Sequence, residues 1–210
     1  MNATSCLRGL RVLGLAIVAM PCIAGVSATP QEAALTGIWQ LASPVGAQLK
    51  DAQGKAPPLN AAGQKLYAER SAQLARGDKN FDLTEKCKPM GFPRTLWDGA
   101  PFDMQVVTGK AVFQGYTYNR NHRLLVTWDA KLPPLQIARY YGTSAAHWEG
   151  STLVVRSGLY NANSILDRSG LPVSENLTIV ERYTPSKDGN TMSVRLTLDD
   201  DTFFTRPWDV

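Results

Sequence analysis

From Phe102 to Val210 the chain is a succession of short β-branched and aromatic runs separated by turn residues, and this punctuation restricts the fold more than any other feature of the sequence. Phe102 to Val107 meets Lys110 to Tyr118 across Thr108-Gly109, and Arg123 to Trp128 follows the polar turn Asn119 to His122. Leu153 to Ser157 follows Glu149-Gly150-Ser151, and Leu177 to Tyr183 meets Thr191 to Leu198 across Asp188-Gly189-Asn190. Connections this short reverse the chain into an antiparallel neighbour, because a parallel crossover needs about a dozen residues or more. The expected fold is mostly β, an antiparallel meander forming a barrel or a sandwich. Side chains alternate across a strand, so Met192, Val194, Leu196 and Leu198 share one face. By the same parity Leu177, Ile179, Glu181 and Tyr183 face inward together, which sets a carboxylate among apolar neighbours.

Before Phe102 the signals are different. Leu35 to Leu41, with Trp39 as anchor, reads as a strand, and a loop rich in Pro, Gly and Gln runs on to Pro58. Asn60 is placed as an N-cap, Leu66, Tyr67, Arg70 and Leu74 recur at helical spacing, and Gly77 is placed to stop the chain, which predicts one helix near residues 60–76. Residues 78–101, with Pro89, Gly91, Pro93, Gly99 and Pro101, read as irregular. No repeat or composition break divides residues 29–210, which are expected to form a single β-rich domain.

The first 28 residues have the organisation of a secretory signal peptide. Arg8 and Arg11 precede an apolar stretch from Val12 to about Val26, no acid occurs before Glu32, and Val26-Ser27-Ala28 supplies small residues for cleavage after Ala28. About 15 apolar residues interrupted by Pro21 fall short of the ~20 of a spanning helix, so no stable membrane insertion is expected after cleavage. Cys22 raises a lipoprotein alternative, which Ala19-Met20-Pro21 before it matches poorly. The expected location is periplasmic or secreted. Removal of the leader leaves Cys87 as the one cysteine, either a buried apolar side chain or a free thiol.

Charge and motifs then narrow the chemistry. The formal charge of +4 falls by half with the two leader arginines, and the remaining basic residues are scattered, so nucleic acid is not an expected partner. His122 and His147 are the only histidines, with no HExxH, no CxxC and no carboxylates at ligand spacing, and no metal site is expected. Neither a Gly-x-Ser-x-Gly elbow nor a phosphate-binding glycine loop is present, and no cofactor is expected. Acid and base chemistry is left to Glu149, Asp167, Glu175 and Glu181, beside Arg182, Tyr116, Tyr118 and Tyr183. A carboxyl group on an apolar face has its charged form disfavoured, which makes Glu181 the candidate general base, with Tyr183 or His147 as proton donor. Trp148, Glu149, Tyr116, Tyr118, Asp167 and Arg182 are the candidate ligand contacts. The structural alternative for Glu181 is a pair with an arginine such as Arg168, and Asp167-Arg168-Ser169-Gly170 reads equally as a plain turn.

Four segments carry a resemblance: Lys86-Cys87-Lys88-Pro89-Met90-Gly91-Phe92-Pro93-Arg94, His147-Trp148-Glu149-Gly150-Ser151-Thr152-Leu153-Val154-Val155, Leu166-Asp167-Arg168-Ser169-Gly170 and Glu181-Arg182-Tyr183. Together with the closing Thr205-Arg206-Pro207-Trp208 they resemble a family of secreted or periplasmic bacterial proteins known as a domain of unknown function. The resemblance implies export and a compact β-rich domain. Relatives often have Pro-His-Ser where this chain has Pro172-Val173-Ser174, which removes any histidine-dependent role at that point. The opening Gly37-x-Trp39 is similar to lipocalins and leans the fold toward a ligand-holding barrel. The leading expectation is therefore a domain that binds a small, partly apolar molecule, aromatic ones included, in a cavity lined by tryptophan and tyrosine. The alternatives are a cofactor-independent lyase, isomerase or hydratase using the buried carboxylate, and an envelope interaction module with an exposed apolar patch.

Overall fold

The computed structural model describes residues 27–43, 45–98, 101–107, 109–117, 121–126, 138–162 and 164–210. All but the last two residues of the expected leader, and Tyr118, lie outside them. The described chain is mostly β. A short helix α1 (Pro30–Leu35) leads into β1 (Gly37–Trp39), the helix α2 (Ala61–Ala75) follows a long loop, and a further short helix α3 (Arg94–Trp97) precedes the remaining strands. These are β2 (Phe102–Val107), β3 (Ala111–Tyr116), β4 (Asn121–Val126), β5 (Thr143–Glu149), β6 (Thr152–Gly158), β7 (Thr178–Pro185), β8 (Met192–Asp199) and β9 (Trp208–Asp209).

The nine strands are hydrogen-bonded in sequence order. Every neighbouring pair is antiparallel except β4 and β5, which touch in parallel through one pairing, Val126 with Ala145. The sheet is thus two antiparallel arrays, β1–β4 and β5–β9, hinged at that contact. Among the described residues no pairing joins β9 back to β1. Gly150 and Gly189, at φ of +60° and +70°, make the reversals between β5 and β6 and between β7 and β8, where a side chain would strain the backbone.

Both arrays contribute to one core. Met104, Val112 and Leu125 from the first belong to the same buried cluster as Leu153, Val155, Ile179 and Leu198 from the second. The parity expected for the β7–β8 hairpin holds. Leu177, Ile179, Glu181 and Tyr183 are all buried, as are Leu196 and Leu198, while Ser193 and Arg195 are exposed.

Several elements depart from the sequence reading. β1 has three residues where a seven-residue strand is expected, and β3 ends at Tyr116. α1 is new, although Thr29-Pro30-Gln31-Glu32 is a capping box with proline in the first turn: Thr29 caps Glu32, and Glu32 accepts from Thr29 at 2.8 Å. Glu32 also accepts from the Gly109 amide at 3.2 Å, tying α1 to the β2–β3 turn. The stretch 78–101, read as irregular, contains a 3₁₀ turn at Leu83–Lys86 as well as α3. β5 carries one β-branched residue, Thr143, so propensity does not signal it. Cys87 is exposed, which leaves the free thiol of its two readings.

α2 follows expectation, with the Asn60 side chain accepting from the Gly63 amide at 2.9 Å. Gly63 lies so close to the C-terminal turn that a Cβ there would overlap the Phe203 carbonyl oxygen and the Leu59 side chain. Gly63→Ala is expected to destabilise the protein by about 1–3 kcal/mol despite alanine's better helix propensity, measured by urea denaturation. An increase in stability would show that α2 can lift off the turn.

Candidate functional site

Five consecutive strands send polar side chains to one place in the interior. Glu181 and Tyr183 come from β7, Ser157 from β6, Ser144 from β5, Arg123 from β4, and Gln114 and Tyr116 from β3; all are buried. Arg123 meets Glu181 through two bonds, Nη2 to Oε1 at 2.6 Å and Nη1 to Oε2 at 3.0 Å. Nη1 also donates to Gln114 Oε1 at 3.2 Å, and Nη2 lies 2.9 Å from the hydroxyls of both Ser144 and Ser157. Glu181 accepts two more bonds, from Ser157 Oγ and from the Tyr183 hydroxyl, each at 2.6 Å. Tyr116 donates to Gln114 Oε1 at 2.6 Å, and the Arg123 guanidinium lies over the Phe92 ring at 3.6 Å from its centroid.

The electrostatics follow from burial. Burial works against the Arg123 charge, yet the adjoining Glu181 carboxylate holds the guanidinium pKa well above its ordinary value. Burial, reinforced by the Glu181 charge, pushes the Tyr183 hydroxyl well up, and burial does the same for Tyr116. Both tyrosines therefore remain donors at neutral pH. The four acceptor positions of the Glu181 carboxylate are filled, which leaves it none for a substrate proton.

The candidate residues separate into two groups. Glu181, Tyr183 and Tyr116 meet inside. His147, Glu149 and Arg182 lie on the opposite face, since His147 pairs in register with Val154 and Arg182, whereas Ala146 pairs with Val155 and Glu181. There Glu149 takes bonds from Arg182 at 2.7 Å and His147 at 3.0 Å, and these hold its pKa below the ordinary value. His147 and Glu181 thus do not share a site. Trp148 is partly buried and packs on the core. Asp167 organises its own turn, accepting from the amides of Ser169 and Leu171, and also takes the Leu49 amide at 2.7 Å, which favours the turn reading. The arginine expected opposite Glu181 is not Arg168, which pairs with Asp98 at 2.9 Å. Arg123 fills that place.

Two clefts flank the interior. A polar one of about 650 Å³ is lined by Arg123, Ser144, Arg139, Tyr141, His122 and Asn161 among others, so the buried cluster reaches it at one end. An apolar one of about 500 Å³ lies between the loop at Leu41–Lys50, α3, the start of β2, β8 and the C-terminal Val210. Trp97, Leu96, Phe102, Leu49, Val194 and Leu196 form its walls. Leu41 and Val45, 43% and 37% exposed, stand at its edge, as do Gln48 and Lys50. The sequence reading singled out none of these wall residues for ligand contact, because they are scattered over the chain and each resembles an ordinary core position. Among the described residues no group of three or more His, Cys, Asp or Glu side chains is placed to hold a metal ion, and no helix is long and apolar enough to cross a membrane.

No family model matches the chain, and neither curated proteins nor solved structures include a match to it. The resemblance read from its motifs accordingly rests on those motifs alone.

Removing one member of the buried pair leaves the other charged and unpaired in a low-dielectric interior. Glu181→Gln is expected to destabilise the fold by about 3–5 kcal/mol in urea denaturation, and the double variant Arg123→Met with Glu181→Leu by less than the sum of its single changes. Loss of less than about 1 kcal/mol in Glu181→Gln would show that the pair is solvated and the cluster loosely held.

Proposed function

We propose that this protein is an exported β domain that binds a small, partly apolar molecule in the cleft walled by Trp97 and Phe102. One observation carries the reading: an open cleft of about 500 Å³ whose walls are almost entirely apolar, with Gln48 and Lys50 at its edge. That size and composition, apolar walls with a few polar groups to orient the ligand, are those of small-molecule sites. Trp97 is fixed in the wall because its indole N–H donates to the Leu166 carbonyl at 2.8 Å, so its ring face is already held for stacking. An amphipathic ligand with a flat apolar body and an acidic or polar end suits the Lys50 edge. Action outside the cytoplasm is supported by the leader-like N-terminus. Of the two β architectures, the sandwich has the better support, since the two antiparallel arrays face one core and exchange side-chain bonds across it.

The enzyme reading draws on one chain of contacts. Ser144, at the polar cleft, lies 3.0 Å from Ser157, which donates to Glu181 at 2.6 Å. The acceptor positions of this carboxylate are already taken by Arg123, Ser157 and Tyr183, so this reading has less support than binding. An interaction module, for which no cleft is expected, has less still.

The test uses anilinonaphthalene sulfonate, a flat aromatic body with an anionic end. At about 100 times its Kd a ligand stabilises the fold by about 2.7 kcal/mol, so saturation should raise the melting temperature and alter tryptophan fluorescence. Val194→Glu, which adds a charge to a partly exposed wall position, should weaken binding at least about tenfold while the far-UV spectrum is unchanged. Trp97→Phe should abolish most of the fluorescence change. Unaltered binding in Val194→Glu would place the dye elsewhere and remove support for this cleft.

A further inference from the structure

The polar cleft has a chemistry distinct from the apolar one. No aspartate or glutamate is among the described residues that line it, whereas Arg139, Arg123 and His122 are. Arg139 is exposed and its backbone is pinned: its amide donates to the Leu159 carbonyl at 2.9 Å, and its carbonyl accepts from the Asn161 amide at 3.1 Å. Because Glu181 cancels the Arg123 charge, the fixed positive charge at the cleft is that of Arg139. Arg123 contributes something more specific. Its Nη hydrogens are directed at Glu181, Gln114, Ser144 and Ser157, and its remaining donor, Nε–H, is buried without a partner among the described residues. The guanidinium cannot turn to satisfy it, since that would break the Glu181 pair and the stack on Phe92. Asn161, also in the lining, has a buried side-chain oxygen with no donor among the described residues. A buried polar group left unpaired is costly, so an unpaired donor and an unpaired acceptor on two residues that line one cleft point to a ligand that brings the complementary groups.

We propose that the polar cleft is a second binding site, for a small organic carboxylate that also carries a hydroxyl. The carboxylate takes Arg139 and the Nε–H of Arg123, and the hydroxyl donates to Asn161 Oδ1. Tyr141, stacked on Tyr116 at 5.8 Å between centroids, offers a wall against which the carbon skeleton can lie. Arg123 Nε and Asn161 Oδ1 are both covered, so the ligand must displace the side chains over them, whereas the Arg123 guanidinium is already held in place by Glu181 and Ser157, and a pre-placed group loses less entropy on binding.

The experiment titrates the intact protein with 4-hydroxybenzoate and galacturonate by calorimetry, with the methyl ester of each as the uncharged control and inorganic phosphate as a simple anion. At least one of the two acids should bind more tightly than about 1 mM, at least about tenfold better than its ester. Arg139→Gln, a change at an exposed side chain, should weaken that acid at least about tenfold with the melting temperature unchanged. Asn161→Ala should lower affinity for the hydroxylated acid and leave benzoate unaffected. Val194→Glu, in the other cleft, should leave the acids unaffected. Failure of both acids to bind, equal binding of acid and ester, phosphate as tight as either acid, or binding that survives Arg139→Gln or is lost in Val194→Glu would each overturn the proposal. The last of these would assign the acids to the apolar cleft, and a failed dye titration there has no bearing on Arg139.

Discussion

The Arg123–Glu181 pair is the interaction on which the rest of the structure depends. Taking two charges from water into a low-dielectric interior costs several kcal/mol for each ion, and attraction repays this only when every remaining hydrogen-bonding group is also satisfied. The carboxylate meets that condition, with its four acceptor positions met by Arg123, Ser157 and Tyr183, and the guanidinium meets it among the described residues at every donor but Nε–H. The partners come from β3, β4, β5, β6 and β7, so satisfying one ion pair requires five strands to be in register. A slip of one residue in β7 would turn Glu181 outward and bring Arg182 in, leaving two arginines together in the core. The pair therefore ties the register of these strands to the arrangement of the two arrays, and it joins them where the backbone does so through a single parallel pairing.

This arrangement also decides where a ligand can go. Tyr116 and Tyr183, which as free aromatic groups could line a central cavity, are committed to Gln114 and Glu181. Phe92 closes on the guanidinium. With the interior occupied in this way, space for small molecules lies at the flanks, and it includes a polar cleft where the cluster ends and an apolar one walled by α3 and residues 45–50. The two differ in kind because one borders the hydrogen-bonded cluster and the other borders the aliphatic side of the core.

The segment between α2 and β2 shapes both. Arg94 is buried and joins Asp82 at 2.9 Å and Asp98 at 2.6 Å, and Asp98 also takes Arg168 from the 167–170 turn. These bonds hold a stretch poor in regular structure tightly enough to supply Phe92 to the ion pair and Leu96 and Trp97 to the apolar wall. Loops fixed on a rigid scaffold in this way are common places for binding surfaces.

The parts of this structure that the sequence determined by itself are those governed by local periodicity and backbone sterics. The turn at Asp188-Gly189, the Asn60-capped helix and the inward direction of Glu181 each follow from a few adjacent residues. β5 escaped because Thr-Ser-Ala-Ala-His-Trp-Glu has little β propensity and becomes a strand only between β6 and its contact with β4. Arg123 had no local signal, since the adjacent Leu124 and Leu125 lie on opposite faces and only the structure shows that Leu125, on the face of Arg123, is the buried one. Its choice as the partner of Glu181, the exclusion of Arg168 and the separation of His147 from the buried cluster were decided by tertiary structure alone. The physical reason is that alternation along a strand determines a side chain's face, whereas its partner depends on which distant strands pack opposite, here across 58 residues of chain.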